Sequence, residues 1–313
     1  MWGYLGRRIL STVPVVLIVA VLIFMMLRLT PGDPAAVIAG DAATSADIAE
    51  IRTKLGLSGS IVSQFFIWIG HAVQGEFGES FFYKKSVASL IADRLEPTLA
   101  LSILTIVLAT LVAVPLGTVA AYRQGSWIDR GVMGLSVAGF SVPVFVIGYV
   151  LIYIFSLKLG WFPVQGYQRL ADGFWGFLHR LLLPSMTLAI VFIALLARMT
   201  RTSVLEVLNE DYVRTARAKG LPNMKVLVFH ALRNAAVPIV TVIGISIATL
   251  LGGVVVTESV FNIPGLGRLT VDAVLARDYP TVQAVILLFS LAYVFINLVI
   301  DMLYTVLDPR IRY

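Results

Sequence analysis

Asn209-Glu210-Asp211-Tyr212-Val213-Arg214-Thr215-Ala216-Arg217-Ala218-Lys219-Gly220 is a polar, helix-compatible island set between two long apolar segments, Leu181 to Ala197 and Ala235 to Thr257. The flanks are apolar enough to cross a bilayer, so the island decides what kind of helical protein this is. Packed helices are usually joined by a few residues, yet Arg198 to Asn234 supplies about 35. Either that surplus docks onto something outside the lipid, or it is a solvated loop.

Working outward, six segments are long and apolar enough to span about 30 Å of hydrocarbon. They are Ile9 to Leu27, Thr98 to Ala121, Gly131 to Leu157, Leu181 to Ala197, Ala235 to Thr257 and Thr281 to Ile300, and none contains a charged residue. The expected fold class is therefore an all-α polytopic membrane protein with six transmembrane helices. Composition agrees: 58% of residues are hydrophobic and 13% charged, against about a quarter charged in soluble domains. The net charge of +6 is dispersed, and nucleic-acid binding would need a clustered basic face. The absence of cysteine excludes disulfides, thiolate zinc sites and cysteine nucleophiles. Arg7 and Arg8 precede the first apolar segment, but its core exceeds that of a cleaved signal, so a retained anchor is expected.

Lys and Arg set the orientation. With the N-terminus inside, the inner segments carry Arg7, Arg8, Arg123, Arg130, Arg198, Arg201, Arg214, Arg217, Lys219, Lys225, Arg233, Arg310 and Arg312, while the short outer loops are poor in basic residues. Both termini are then cytoplasmic. The chain divides into an N-terminal transmembrane helix (1–29), an extracytoplasmic cap (30–97) and a five-helix core (98–313) holding the cytoplasmic loop 198–234.

In the cap, Pro31-Gly32-Asp33-Pro34 should end the first helix. Asp47 to Leu55 reads as a short amphipathic helix with Ser45 as N-cap, and Ile61 to Val73 as a second. Pro97 is expected in the first turn of the second span. Trp161, Phe162 and Trp175 mark a membrane interface or, less simply, a ligand-stacking surface. In the fifth span Gly244, Ala248 and Gly252 form a small-residue stripe that permits close helix packing or lines a passage. Near the inner end of the sixth, Asn297 and Asp301 are four apart; Asp301 either pairs with an inner arginine or takes part in transport.

Catalytic signatures are missing. His71, His179 and His230 lie in separate segments without zinc-hydrolase spacing, and no Gly-x-Ser-x-Gly elbow occurs. No Gly-x-x-x-x-Gly-Lys-Ser/Thr loop exists to cradle ATP phosphates. No catalytic, cofactor or metal residue is therefore assigned, and any ATP that drives this chain binds elsewhere.

Within the island, Glu210 and Asp211 precede Arg214, Arg217 and Lys219, an order that suits the helix dipole and permits i,i+3 and i,i+4 pairs with Arg214. Gly220 before Leu221-Pro222 is a helix stop. The candidate docking residues are Glu210, Asp211, Tyr212, Arg214, Thr215, Ala216, Arg217, Ala218, Lys219 and Gly220. Together with His230-Ala231-Leu232-Arg233-Asn234-Ala235 and Val237-Pro238, this stretch resembles the inner-loop signature of bacterial ABC importer permeases of the dipeptide/oligopeptide (and nickel) branch. Pro31-Gly32-Asp33-Pro34, Phe261-Asn262-Ile263-Pro264-Gly265-Leu266-Gly267, Arg277-Asp278-Tyr279-Pro280 and Asp308-Pro309-Arg310 extend the resemblance over the whole chain.

The resemblance implies a type I ABC importer permease-like fold in the bacterial inner membrane, the chain being the first of two paralogous permeases. It implies that Asp211 to Gly220 is a coupling helix resting in a cleft of a cytoplasmic ATPase; Arg214-Thr215-Ala216 stands where the general permease signature begins Glu-Ala-Ala, which leaves the docking role intact but argues against an acidic contact at Arg214. It further implies a second homologous permease, two ATPases holding ATP and Mg, and an extracytoplasmic peptide-binding protein, with peptides crossing between the permeases. The rival reading is an ion-gradient-driven secondary transporter, which would ordinarily show internal repeats and helices broken near the midplane. A membrane-embedded hydrolase is disfavoured by the missing motifs.

Overall fold

The computed structural model describes residues 2–29, 35–36, 44–54 and 59–307. The element order is α1 (Trp2–Leu29), α2 (Ser45–Lys54), α3 (Ile61–Val73), α4 (Val87–Tyr122), α5 (Trp127–Ser141) and α6 (Val144–Leu151, continued by a π-helical turn Ile152–Lys158). Then follow α7 (Phe174–Leu208), α8 (Asp211–Ala218), α9 (Asn223–Lys225, continued by a π-helical segment Val226–Leu232), α10 (Ala236–Val260), α11 (Leu266–Leu275) and α12 (Tyr279–Leu307). Pro31-Gly32-Asp33-Pro34, Leu55 and Asp308-Pro309-Arg310 lie outside the described residues.

The count of six spans is corrected. Among the described residues four helices are long and apolar enough to cross a membrane, or five if one bent pair counts as a single span. Two physical reasons account for the difference. The described apolar stretch of α1, Leu10–Met26, falls in the class of shorter apolar helices. The third segment is not one rod: α5 and the α6 unit meet at 105°. Val142 there is extended (φ −91°, ψ 129°), as the residue before a proline prefers, and Pro143 caps the next helix. The fold is still an all-α polytopic membrane protein.

Local starts also move. Thr44 caps α2 in place of Ser45: its N–H and Oγ1 donate to Asp47 Oδ2 (2.9 and 2.7 Å), and Asp47 N–H donates back to Thr44 Oγ1. That reciprocal pair is a capping box, and the Thr44 hydroxyl holds Asp47 below the usual carboxylate range. Helix α4 begins at Val87, where Ser86 Oγ accepts from Ser89 N–H, so Pro97 lies inside the helix rather than in its first turn.

The chain forms two compact units. The first comprises Met1–Glu96 and Gly265–Leu298. Its apolar cluster joins Leu90, Leu266, Leu269 and Val285. Beside it Asp278, fully buried, accepts from Ser80 Oγ (2.5 Å), Phe81 N–H (3.2 Å) and Thr281 Oγ1 (2.7 Å). Three donors replace the water a carboxylate would lose on burial. Gln283 Nε2 donates to the Ile23 carbonyl at 3.0 Å, tying α12 to α1.

The second unit comprises Pro97–Pro264 and Val299–Tyr313. Its core runs through Leu101, Leu181, Leu183, Leu188, Leu196, Leu250, Phe261 and Ile263. Glu258 is fully buried at the end of α10 and accepts from Thr98 Oγ1 at 2.6 Å. Trp161 and Trp175 are exposed, and the Trp161 carbonyl is bonded to His179 Nε2 at 2.8 Å.

Candidate functional site

The polar island begins where α7 ends. Helix α7 continues past its apolar part to Leu208, so much of the apparent surplus is helix rather than loop. Glu210 is the N-cap of α8, without a side-chain capping bond. The other end is closed by a Schellman pair: Leu221 N–H donates to the Ala216 carbonyl (3.3 Å) and Gly220 N–H to that of Arg217 (2.9 Å). Gly220 takes φ 78°, the left-handed value this motif needs.

Two faces separate on α8. Val213 and Ala216, 0% and 6% exposed, pack with Val226 and with Val207, Leu208 and Leu221. Their i,i+3 spacing puts them on one side, and burying them seats α8 on the chain. Asp211, Tyr212, Arg214, Thr215, Arg217, Ala218 and Lys219 are exposed on the rest of the helix. Ala216, grouped with the docking residues in the sequence, therefore faces inward. Arg214 pairs with Asp211 at 3.3 Å, both largely exposed, so the pair adds little to stability. Thr215 Oγ1 donates to the Asp211 carbonyl at 3.0 Å.

Tyr212 is half-exposed beside the seat. Burial, reinforced by nearby Glu210 and opposed by the Asn234 side chain, raises its pKa above the ordinary tyrosine value. Asn234 Nδ2 donates to the His230 carbonyl at 2.6 Å.

One connection was missed in the sequence. Asp129, 4% exposed, makes a two-pronged ion pair with Arg201 of α7 through Nε and Nη2, the latter at 2.7 Å. Asp129 also accepts from Gly125 N–H at 2.9 Å, while Ser126 Oγ caps its own N–H. The pattern Ser126-x-x-Asp129 was a readable capping box, but its partner lies 72 residues away. Next to it, a Cβ on Gly117 would meet the Ala197 carbonyl at 2.5 Å and Thr200 Cβ at 2.7 Å, so α4 and α7 touch backbone to backbone there. These contacts brace the polar end of α7 from which α8 hangs.

The small-residue stripe is split. A Cβ on Gly244 would meet Ile300 Cγ1 at 2.5 Å, a tight helix contact, and Ala248 is buried. Gly252 has nothing within 4 Å. Asn297 donates from Nδ2 to the Tyr293 carbonyl at 2.8 Å, and both it and Asp301 are half-buried on α12. The stripe lies on α10 and the pair on α12, separate elements from α8. Among the described residues no group of three His, Cys, Asp or Glu could hold a metal.

Residues 113–313 match the family model described as the binding-protein-dependent transport system inner membrane component, and residues 1–102 match the model for the N-terminal part of such membrane components. The chain is 52% identical over 310 residues to a probable peptide ABC transporter permease of Sinorhizobium fredii, covering 99% of each. It is 46% identical over 313 residues to the glutathione transport system permease GsiC of Salmonella choleraesuis, covering 100% of each. Among solved structures, an inward-facing MetNI methionine ABC transporter aligns with TM-score 0.59 at 18% identity, over 70% of this chain and 96% of that one. At that identity the likeness concerns fold alone.

Proposed function

Because the chain belongs to the binding-protein-dependent transport system inner membrane component family, we propose that α8 is the helix through which a cytoplasmic ATPase drives it. The chain is a polytopic permease subunit of an ABC-type importer, works within a multi-subunit complex, and leaves ATP hydrolysis to partner subunits. Its cargo is a small peptide or peptide-like molecule, the class named for its relatives. It acts as the first of two paralogous permeases, with two ATPases holding ATP and Mg and an extracytoplasmic binding protein, and both termini are cytoplasmic.

The observation that carries this reading is the division of α8. Its apolar face is consumed by Val213 and Ala216, so the helix moves with its own chain, while Asp211, Arg214, Thr215, Arg217, Ala218 and Lys219 are presented outward. Closure of the ATPases pulls on that outer face. The pull passes through Leu208 into α7 and through Val226 into the segment that leads to α10, and rocking those helices opens the pathway to the opposite side. Positioning and leverage are the chain's whole contribution. The family's chemistry takes place at ATP, on the partner.

The lack of native cysteine makes the test direct. A single cysteine in place of Thr215 should cross-link to an ATPase subunit bearing a cysteine in its groove, with a yield that changes between ATP-bound and nucleotide-free states. Cross-links to no ATPase, in either state, would reject α8 as the docking helix.

A further inference from the structure

Helix α3 has no part in the mechanism above. Ile61-Val62-Ser63-Gln64-Phe65-Phe66-Ile67-Trp68-Ile69-Gly70-His71-Ala72-Val73 contains no Asp, Glu, Lys or Arg, whereas neighbouring α2 carries Asp47, Glu50, Arg52 and Lys54. At 100° per residue its side chains sort into three faces. The first is packed: the Phe65 and Trp68 rings lie 5.2 and 5.8 Å from Phe24 of α1, and buried Gln64 donates to the Gly59 carbonyl at 3.0 Å. A second carries Ser63 and His71 and then Gln74 just past the helix end, with Ile67, 53% exposed, and Gly70 between them; His71 Nδ1 meets Glu76 at 2.9 Å. The third is Val62, Phe66 and Val73, which are 65%, 66% and 82% exposed.

Phe24 identifies what covers that third face. It lies two residues before the end of the apolar stretch Leu10–Met26, about 3 Å along the axis. The stretch has its own large side chains outward, including Leu10, Ile18 and Leu22. Packing on Phe24 therefore holds α3 at the level where an apolar surface gives way to polar chain. Thirteen residues reach only about 20 Å, too short to cross hydrocarbon, and Ser63 near one end with His71 and Gln74 at the other oppose burial on all sides. A short helix at that level can rest in the membrane interface, where apolar side chains reach about 5–10 Å into the headgroup and acyl boundary.

We propose that α3 is an interfacial helix, lying in the plane of the leaflet at the Met26 end of α1. Val62, Phe66 and Val73 enter the acyl region, and Ser63, His71 and Gln74 face headgroups and water. With no basic side chain on the helix besides His71, the anchoring is apolar and independent of anionic lipid. The test uses the full chain with its co-purifying subunits in phospholipid vesicles, carrying one nitroxide label at a time on Val62→Cys, Phe66→Cys, Val73→Cys, Ser63→Cys or Gln74→Cys. Collisions with oxygen should dominate at 62, 66 and 73, and collisions with a water-soluble nickel chelate at 63 and 74, equally in neutral and anionic vesicles. Nickel dominance at all five sites would mean a solvated helix. Exclusion of both reagents at 62, 66 and 73 would mean a protein partner, and loss of the pattern in neutral vesicles would mean electrostatic anchoring. Each of these overturns the proposal.

Discussion

Gly220 and Asp129 carry opposite kinds of constraint. At Gly220 a side chain would meet no neighbour within 4 Å, yet the backbone sits at φ 78°. Gly220→Val should therefore cost about 1–2 kcal/mol through backbone conformation alone, whereas Gly220→Asn should recover most of that because asparagine tolerates the left-handed region. Ligand-stimulated ATPase activity and uptake, measured side by side, should fall for valine and nearly return for asparagine; equal loss would mean the site is sensed through its side chain instead. Asp129 is constrained by charge. Asp129→Asn leaves Arg201 short of its counter-ion, and with the Arg201 side chain 23% exposed the loss should be about 2 kcal/mol, below that for a fully buried pair. Thermal unfolding should show the Asp129→Asn, Arg201→Gln double variant less destabilised than the sum of the singles. Strict additivity would remove the pair's role as a brace.

Among helices, close approach decides what can change. Gly244→Ala places a methyl group on Ile300 and should lower the unfolding temperature, with Ile300→Ala restoring part of it; Gly252→Ala, with no neighbour within 4 Å, should be nearly silent in the same assay. No rescue by Ile300→Ala would place the strain elsewhere. Much of this architecture was legible. Apolar length marked α4, α7, α10 and α12, and the Gly-Leu-Pro stop marked the end of α8. The bend between α5 and α6 was not, because hydropathy is blind to direction and proline alone is no guide: Pro97, Pro115 and Pro184 sit inside unbroken helices. The inward face of α8 was present in the i,i+3 spacing of Val213 and Ala216 but was hidden by the charged composition around it. Glu258 escaped notice because the apolar run stops one residue before it, and only the fold supplies Thr98.

For the whole molecule, an energy source separates the proposed function from the gradient-driven alternative. Uptake by the reconstituted complex should vanish when the ATPase phosphate loops are mutated and survive collapse of the ion gradient; the reverse pattern would return the chain to the secondary transporters. A different consequence follows from Asp278, whose carboxylate gathers Ser80 and Phe81 from 198 and 197 positions earlier in the chain. Synthesis proceeds from the N-terminus, so the Glu79–Ser86 region must wait for nearly the entire polypeptide before its hydroxyl and amide find their acceptor. A ribosome-stalled chain ending before residue 278 should show this region open to protease, and one long enough to expose residue 281 should protect it. The fold thus holds a clasp near its beginning that only the turn at Asp278, just ahead of α12, can fasten.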